Sequence, residues 1–291
     1  MVYADYNDRL YRTQDDQTIK PPTDMMPILV VEDAAAASNP CIEISNLAVS
    51  FDRLNVIEDM SFTVMKREFV SLLGPSGCGK STLLRIIAGL LKPSAGSVRF
   101  GSQPVVEDGV APRLGMMFQK PLLLPWRTTL ENVLLPAELE LGGNATSSVT
   151  VARARHMLAL VQLDDFENAY PHSLSGGMQQ RVALARTLMS DPDILLLDEP
   201  FGALDEMTRE TLNEELLNIW RSADTRLETV VMVTHSVQEA VALSDRIFIF
   251  ATRPARLRDV VPVHVPHPRG SGTMEFLRVH EHIRQLLRQQ A

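Results

Sequence analysis

Cysteine is scarce in this chain. Only Cys41 and Cys78 occur among 291 residues, and a chain of this length can bury a sizeable core without covalent staples. Cys78 lies within a glycine-rich stretch where a crosslink would block access, so two free thiols in a reducing cytosol are expected. An excess of positive charge is also missing. The 28 Lys and Arg are outnumbered by 36 Asp and Glu, for a net charge of −8. That balance disfavours a nucleic-acid partner, whose affinity rests largely on cations meeting phosphates. It equally disfavours adsorption by charge onto an anionic membrane leaflet, so at a membrane another protein would hold the chain in place. No run of 18 apolar residues exists, and no transmembrane helix is expected. The opening residues, with Asp5, Asp8, Asp15 and Asp16, have no basic flank before an apolar run, so no secretory signal is expected. No internal repeat is present.

What the chain does contain divides into three stretches. Residues 1–40 are polar, then proline-rich, then alanine-rich, and are expected to form a flexible extension; the short apolar run at residues 25–31 could add an edge strand or dock on a partner. From Cys41 the pattern changes. Ile42, Ile44, Leu47, Val49 and Phe51 approximate strand alternation, and Met60, Phe62 and Val64 repeat it. After Lys80, the series Leu83, Leu84, Ile86, Ile87 and Leu90 recurs at helical spacing, with Lys92-Pro93 as its stop. Thr128 and Glu131 have the form of a capping box, Gly142-Gly143-Asn144 breaks the chain, and residues 151–163 form another helical run. Residues of about 120–184 thus read as a mostly helical subdomain inserted between two strand-bearing segments. The expected domain spans 41–265, followed by a tail, 266–291, with a helix over 276–287.

The chemistry concentrates at the ends of short apolar runs. Residues 70–73 lead into Gly74-Pro75-Ser76-Gly77-Cys78-Gly79-Lys80-Ser81-Thr82. The spacing G-x-x-x-x-G-K-[ST] forms a phosphate-binding loop when it follows a strand and opens a helix, and both conditions are predicted. The glycines let backbone N–H groups converge on phosphates, aided by the helix N-terminus. Lys80 would reach the β and γ phosphates, and Ser81 would offer a hydroxyl to Mg²⁺. Residues 194–197 carry Asp198 and Glu199 to a strand end, where ligands sit in open α/β sheets. Asp198 would hold Mg²⁺ and Glu199 would orient and deprotonate a water; a lone acidic pair there could otherwise cap a helix. His235 follows a further buried run, 230–234, and could hold the water or the γ-phosphate, or be structural. Gln119 could bind Mg²⁺ or water, or simply end a strand. Together these residues point to binding and hydrolysis of ATP. The fold expected is α/β: a P-loop NTPase core with a mixed sheet, an antiparallel β subdomain and the helical insertion.

From Cys41 onward the sequence resembles the ATPase subunit of ATP-binding-cassette (ABC) transporters. Leu174-Ser175-Gly176-Gly177-Met178-Gln179 is similar to the ABC signature, with Met178 where many members carry glutamine. Ala203-Leu204-Asp205 resembles the D-loop, Gln119 the Q-loop and His235 the switch histidine. Phe51 falls where the family places an aromatic, more usually tyrosine, that stacks on adenine; the alternative is a core-facing strand residue. The resemblance implies a head-to-tail homodimer, with each MgATP between the P-loop of one copy and Ser175, Gly176 and Gly177 of the other. Pro121-Leu122-Leu123-Leu124-Pro125-Trp126-Arg127 and the tail pieces Arg253-Pro254-Ala255-Arg256 and Pro268-Arg269 resemble importers of the nitrate, sulfonate, taurine and bicarbonate group. That likeness implies a membrane permease docking near residues 119–127, a solute-binding protein beyond it, and a peripheral place on the cytoplasmic face of the cell membrane. The alternatives are a soluble ABC ATPase acting on a non-transport partner and a regulator that uses ATP only as a switch.

Overall fold

The computed structural model describes residues 40–52, 54–101, 103–104, 112–141 and 147–289. The expected extension ahead of Pro40, with its run at 25–31, and the break at 142–144 lie outside them.

Strands β1 (Ile42–Phe51) and β2 (Leu54–Val64) form an antiparallel pair. Next come β3 (Phe69–Leu73), helix α1 (Lys80–Ile87), β4 (Ala95–Phe100), β5 (Gln103–Pro104) and β6 (Leu114–Met117). Helices α2 (Thr129–Leu141), α3 (Ser148–Leu160) and α4 (Gly176–Met189) follow. The chain then alternates β7 (Ile194–Asp198), α5 (Glu206–Arg221), β8 (Thr229–Thr234), α6 (Val237–Leu243) and β9 (Arg246–Phe250), and ends with β10 (Leu257–Pro262) and α7 (Met274–Arg288). The strands make two sheets. One is antiparallel, in the order β2-β1-β4-β5; the other is mixed, in the order β10-β9-β3-β8-β7-β6, with only β10 antiparallel to its neighbour.

The apolar runs explain this layering. Side chains alternate across a strand, so an uninterrupted apolar strand feeds two cores at once. Leu195, Leu197, Val230 and Met232 pack on one face with residues of α2, α3, α4 and α5. Ile194, Leu196, Val231 and Val233 pack on the other with α1 and the antiparallel sheet. Ile247 and Ile249 of β9 join α6 and α7 in a third cluster around Phe276 and Ile283. The parallel register aligns Leu73 with Thr234 and Ile249, Asp198 with Val233, and Met117 with Leu197. Five strands therefore end along one edge, and the segments leaving that edge carry Gly74, Gln119, Glu199, His235 and Arg253.

Local signals acted largely as expected. Thr128 and Glu131 exchange bonds reciprocally: the Thr128 N–H donates to Glu131 Oε2 (2.7 Å) and the Glu131 N–H to Thr128 Oγ1 (3.3 Å), which satisfies two orphan donors of α2. Two expectations need correction. Helix α1 stops at Ile87, before the expected proline stop, because Gly89 turns left-handed (φ 72°), leaving Leu90 exposed. The alternation of β1 is broken by register shifts at Leu47 and Val49, so Phe51 leaves the core and is 46% exposed.

Candidate nucleotide site

The glycine loop joins β3 to α1. Gly77 (φ 74°) and Gly79 (φ 117°) both sit in the left-handed region that disfavours side chains. A Cβ on Gly79 would also lie 3.1 Å from Val56 Cγ1. Helix α1 opens on Gly79 with no side-chain cap and no acidic residue in its first turn. Its leading N–H groups are thus left for an anion. Lys80 is buried, and its ammonium donates to the carbonyls of Gly74 (2.7 Å) and Pro75 (2.8 Å). Ser76 is exposed on the outer turn of the loop. Cys78 is 2% exposed, with its sulfur 3.8 Å from the Lys80 ammonium; both cysteines are free thiols.

Across from the loop, Ser81 Oγ donates to Asp198 Oδ1 at 2.7 Å. Asp198 is the buried last residue of β7, and Glu199 follows with a positive φ of 46°. Two groups converge on Glu199 Oε2: the Gln119 amide donates to it at 3.1 Å, and His235 Nδ1 lies 3.5 Å away. One wall of the adjoining cavity, of about 290 Å³, is made by Phe51, Leu54 and Val56; among the described residues Gly77, Gly79, Lys80, Ser81, Thr82, Glu199 and Arg253 also line it. Phe51 therefore faces a cavity bordered by the glycine loop.

Not every predicted residue joins this cluster. Ser175 caps α4, accepting from the Met178 N–H at 3.3 Å. Gly177 packs toward α5, where a Cβ would meet Thr208 Cγ2 at 2.8 Å, and exposed Gly176 stands beside Leu204. None of the three lines the cavity. Asp205 caps α5: it accepts from the Thr208 N–H (3.0 Å) and hydroxyl (2.8 Å), and these bonds hold its carboxyl below the usual carboxylate range.

Some organising residues have no short-range sequence signal. Buried Glu239 accepts from the Thr234 hydroxyl and lies 3.5 Å from Arg209 Nε; burial pushes its carboxyl up, while Thr234 and Arg209 pull it back. Arg209 also donates to the Leu204 carbonyl at 2.7 Å, so the segment at 203–205 is tied to the end of β8. On the outer face, the buried Asn132 amide donates to the carbonyls of Leu124, Arg127 and Thr128. Arg186 of α4 holds the carbonyls of Leu122 (2.9 Å) and Pro121 (2.7 Å), and Gln180 holds that of Gln119 (2.9 Å). The loop so fixed presents Leu122 and Trp126, the latter 70% exposed. A groove of about 300 Å³ runs beside it, lined by Met116, Phe118, Leu122, Leu135 and Leu139.

A glycine loop between a parallel strand and a helix, with two carboxylates at the end of a second parallel strand of the same sheet, is the arrangement of the P-loop type. Comparison with known proteins narrows the class. The family model described as ABC transporter matches residues 57–202. An uncharacterised ABC transporter ATP-binding protein of Methanocaldococcus jannaschii is 43% identical over 251 residues, covering 85% of this chain and 91% of its own. The aliphatic sulfonates import ATP-binding protein of Bacillus subtilis is 40% identical over 228 residues, covering 78% of this chain and 85% of its own. Among solved structures, a dimeric ATP-binding cassette in a post-hydrolysis state, bound to ADP and Pi, superposes with a TM-score of 0.66 at 32% identity, covering 79% of this chain and 99% of that one. The chain belongs to the ABC transporter family and is one of its ATPases.

Proposed function

We propose that the chain powers an importer, hydrolysing ATP as a head-to-tail homodimer that drives a separate permease. The observation that carries the catalytic half is the convergence of Gln119 and His235 on Glu199, beside the Ser81–Asp198 pair. In this reading Glu199 takes a proton from the attacking water. His235 and Gln119 hold its oxygen and the water in register. Lys80, already sharing its protons with two loop carbonyls, would shift them to the β and γ phosphates. Phe51 offers an exposed ring for the adenine to stack on.

Ser81 and Asp198 set two oxygens side by side, with Gln119 close to Glu199. Such a set suits Mg²⁺, a hard cation that takes one or two protein oxygens and completes its shell with phosphate oxygens and water. When bound, it would neutralise charge developing between the β and γ phosphates.

The signature turn supports the dimer. Ser175, Gly176 and Gly177 lie off the cavity of their own chain, and a similar cassette was solved as a dimer. A second chain could present these N–H groups and the Ser175 hydroxyl to the open side of a γ-phosphate. Exposed Leu122 and Trp126, beside an apolar groove, suit a short cytoplasmic helix of a permease. Among the described residues no helix is long and apolar enough to cross a membrane, in keeping with a peripheral subunit on the cytoplasmic face of the cell membrane. The likeness to an aliphatic sulfonates import protein favours a sulfonate or another small anion, delivered by a solute-binding protein.

Purification of the chain with its permease from detergent-solubilised membranes tests this function. ATP hydrolysis by the reassembled complex should rise when a loaded solute-binding protein is added. A chain that never enters such a complex would favour a soluble ATPase with a non-transport partner. Trp126→Ala should change stability by no more than about 0.5 kcal/mol, because the ring is largely exposed, yet reduce permease recovery; undiminished recovery would move the docking surface elsewhere.

A further inference from the structure

The turn Arg253-Pro254-Ala255-Arg256 between β9 and β10 borders the cavity through Arg253 but has no role in the scheme above, and it is fastened to both β2 and the glycine loop. Ala255 is buried, and its N–H donates to the Val56 carbonyl (2.8 Å) while its own carbonyl accepts from Glu58 (3.1 Å). The turn thereby pairs with β2 in a parallel bridge between Ile57 and Ala255. Arg256 adds an exposed ion pair to Glu58 at 2.8 Å. Arg253 reaches the other way, donating from Nε (3.1 Å) and Nη2 (2.6 Å) to the carbonyl of Gly77.

That carbonyl belongs to the peptide unit between Gly77 and Cys78. Its opposite end is also tied, since the Cys78 N–H donates to the Pro75 carbonyl at 3.4 Å. Gly77 holds a positive φ of 74°, and glycine is the residue with most backbone freedom to lose on ordering. A charged fork gripping its carbonyl from outside fixes that peptide plane before any ligand arrives. A preformed cradle strengthens binding by sparing the ligand the cost of ordering it. Such an effect falls alike on ground and transition states, so it lowers KM and leaves kcat unchanged.

We propose that Arg253 is a positioning residue of the nucleotide site: through Gly77 it holds the phosphate cradle in its binding shape, and the turn around it straps that cradle to β2. The inference rests on the glycine loop being the ATP site. The fork is specific to arginine, because lysine offers a point charge on a flexible stem and cannot place two N–H groups on one carbonyl.

The test is steady-state ATP hydrolysis by the full-length chain, with nucleotide affinity measured in parallel. Arg253→Ala should raise KM and the dissociation constant for MgATP about tenfold, with kcat within about twofold, because its two bonds order the cradle and do not touch the nucleotide. Arg253→Lys should recover part of the loss. Arg256→Ala removes the neighbouring ion pair but leaves the fork, and should keep KM within about twofold. Wild-type affinity in Arg253→Ala would overturn the proposal, as would an equal rise in Arg256→Ala, which would assign the effect to packing of the turn. If Arg253→Ala fails to fold, the lysine variant decides: KM at the wild-type value overturns the proposal. Lys80→Ala separates the underlying assumption, since undiminished ATP binding in that variant would remove the loop from the nucleotide site altogether.

Discussion

Helices α1 and α4 both begin with glycine at or beside their first turn, and they treat their leading N–H groups in opposite ways. At α1 the capping position is Gly79, with no side chain to accept a bond, and a lysine and a serine follow at once. At α4 the capping position is Ser175, whose oxygen already accepts from Met178. One start is left open by its own chain; the other is satisfied by it. A hydroxyl that accepts still has a proton to donate, so the α4 turn can cap its helix and serve a phosphate together. The open start stands at the strand ends beside Ser81, Asp198 and Glu199, whereas the capped one packs toward α5, outside that cavity. The difference argues for two parts of a phosphate cage with separate duties, one gripping and one completing.

The comparison can be pressed with three substitutions. Glu199→Gln keeps the shape of the side chain and its bond from Gln119 while removing the base. Turnover should fall by roughly 10²–10⁴ with ATP binding retained, and the ATP-bound dimer should accumulate in size-exclusion runs. A protein that stays monomeric at saturating ATP would break the division of duties. Lys80→Ala acts on the gripping half and should weaken ATP binding roughly 100-fold by titration, given that hydrogen bonds to charged groups contribute about 1.5–3 kcal/mol each; unchanged hydrolysis would refute its role. Ser175→Ala acts on the completing half. It should lower dimer turnover about tenfold and cost about 1 kcal/mol of stability through the lost cap. Its decisive readout is ATP affinity of the monomer at low protein concentration, which should match wild type; a fall there would mean that both turns serve the same nucleotide within one chain.

Much of this arrangement was legible from local spacing. The capping box at Thr128 and Glu131, the buried runs of β7 and β8, and the glycine loop all depend on residues within a few positions of one another. The strand ends bearing Asp198 and His235 could be foreseen because a buried parallel strand is a continuous apolar run. Other features depended on partners far away in sequence. Arg253 meets Gly77 across 176 positions, and nothing near either residue announces it. Phe51 is a local case: it pairs with Leu54 at an irregular end of the β1–β2 hairpin, and its exposure agrees with the place the resemblance gave it, whereas alternation alone would turn it inward. Asp205 was legible only as part of the D-loop; that its oxygens cap α5 by accepting from Thr208 is seen in the structure alone.

Helix α4 joins places that would otherwise be unrelated. Its first residue follows Ser175, while Arg186 grips the carbonyls behind Leu122 and Gln180 grips that of Gln119. Arg186 lies eleven positions beyond Ser175, about 16 Å along a helix. The loop is therefore tied to α4 at two places, Gln180 and Arg186, so a load on Leu122 is expected to reach the glycines at the helix start through backbone carbonyls rather than through side-chain packing alone.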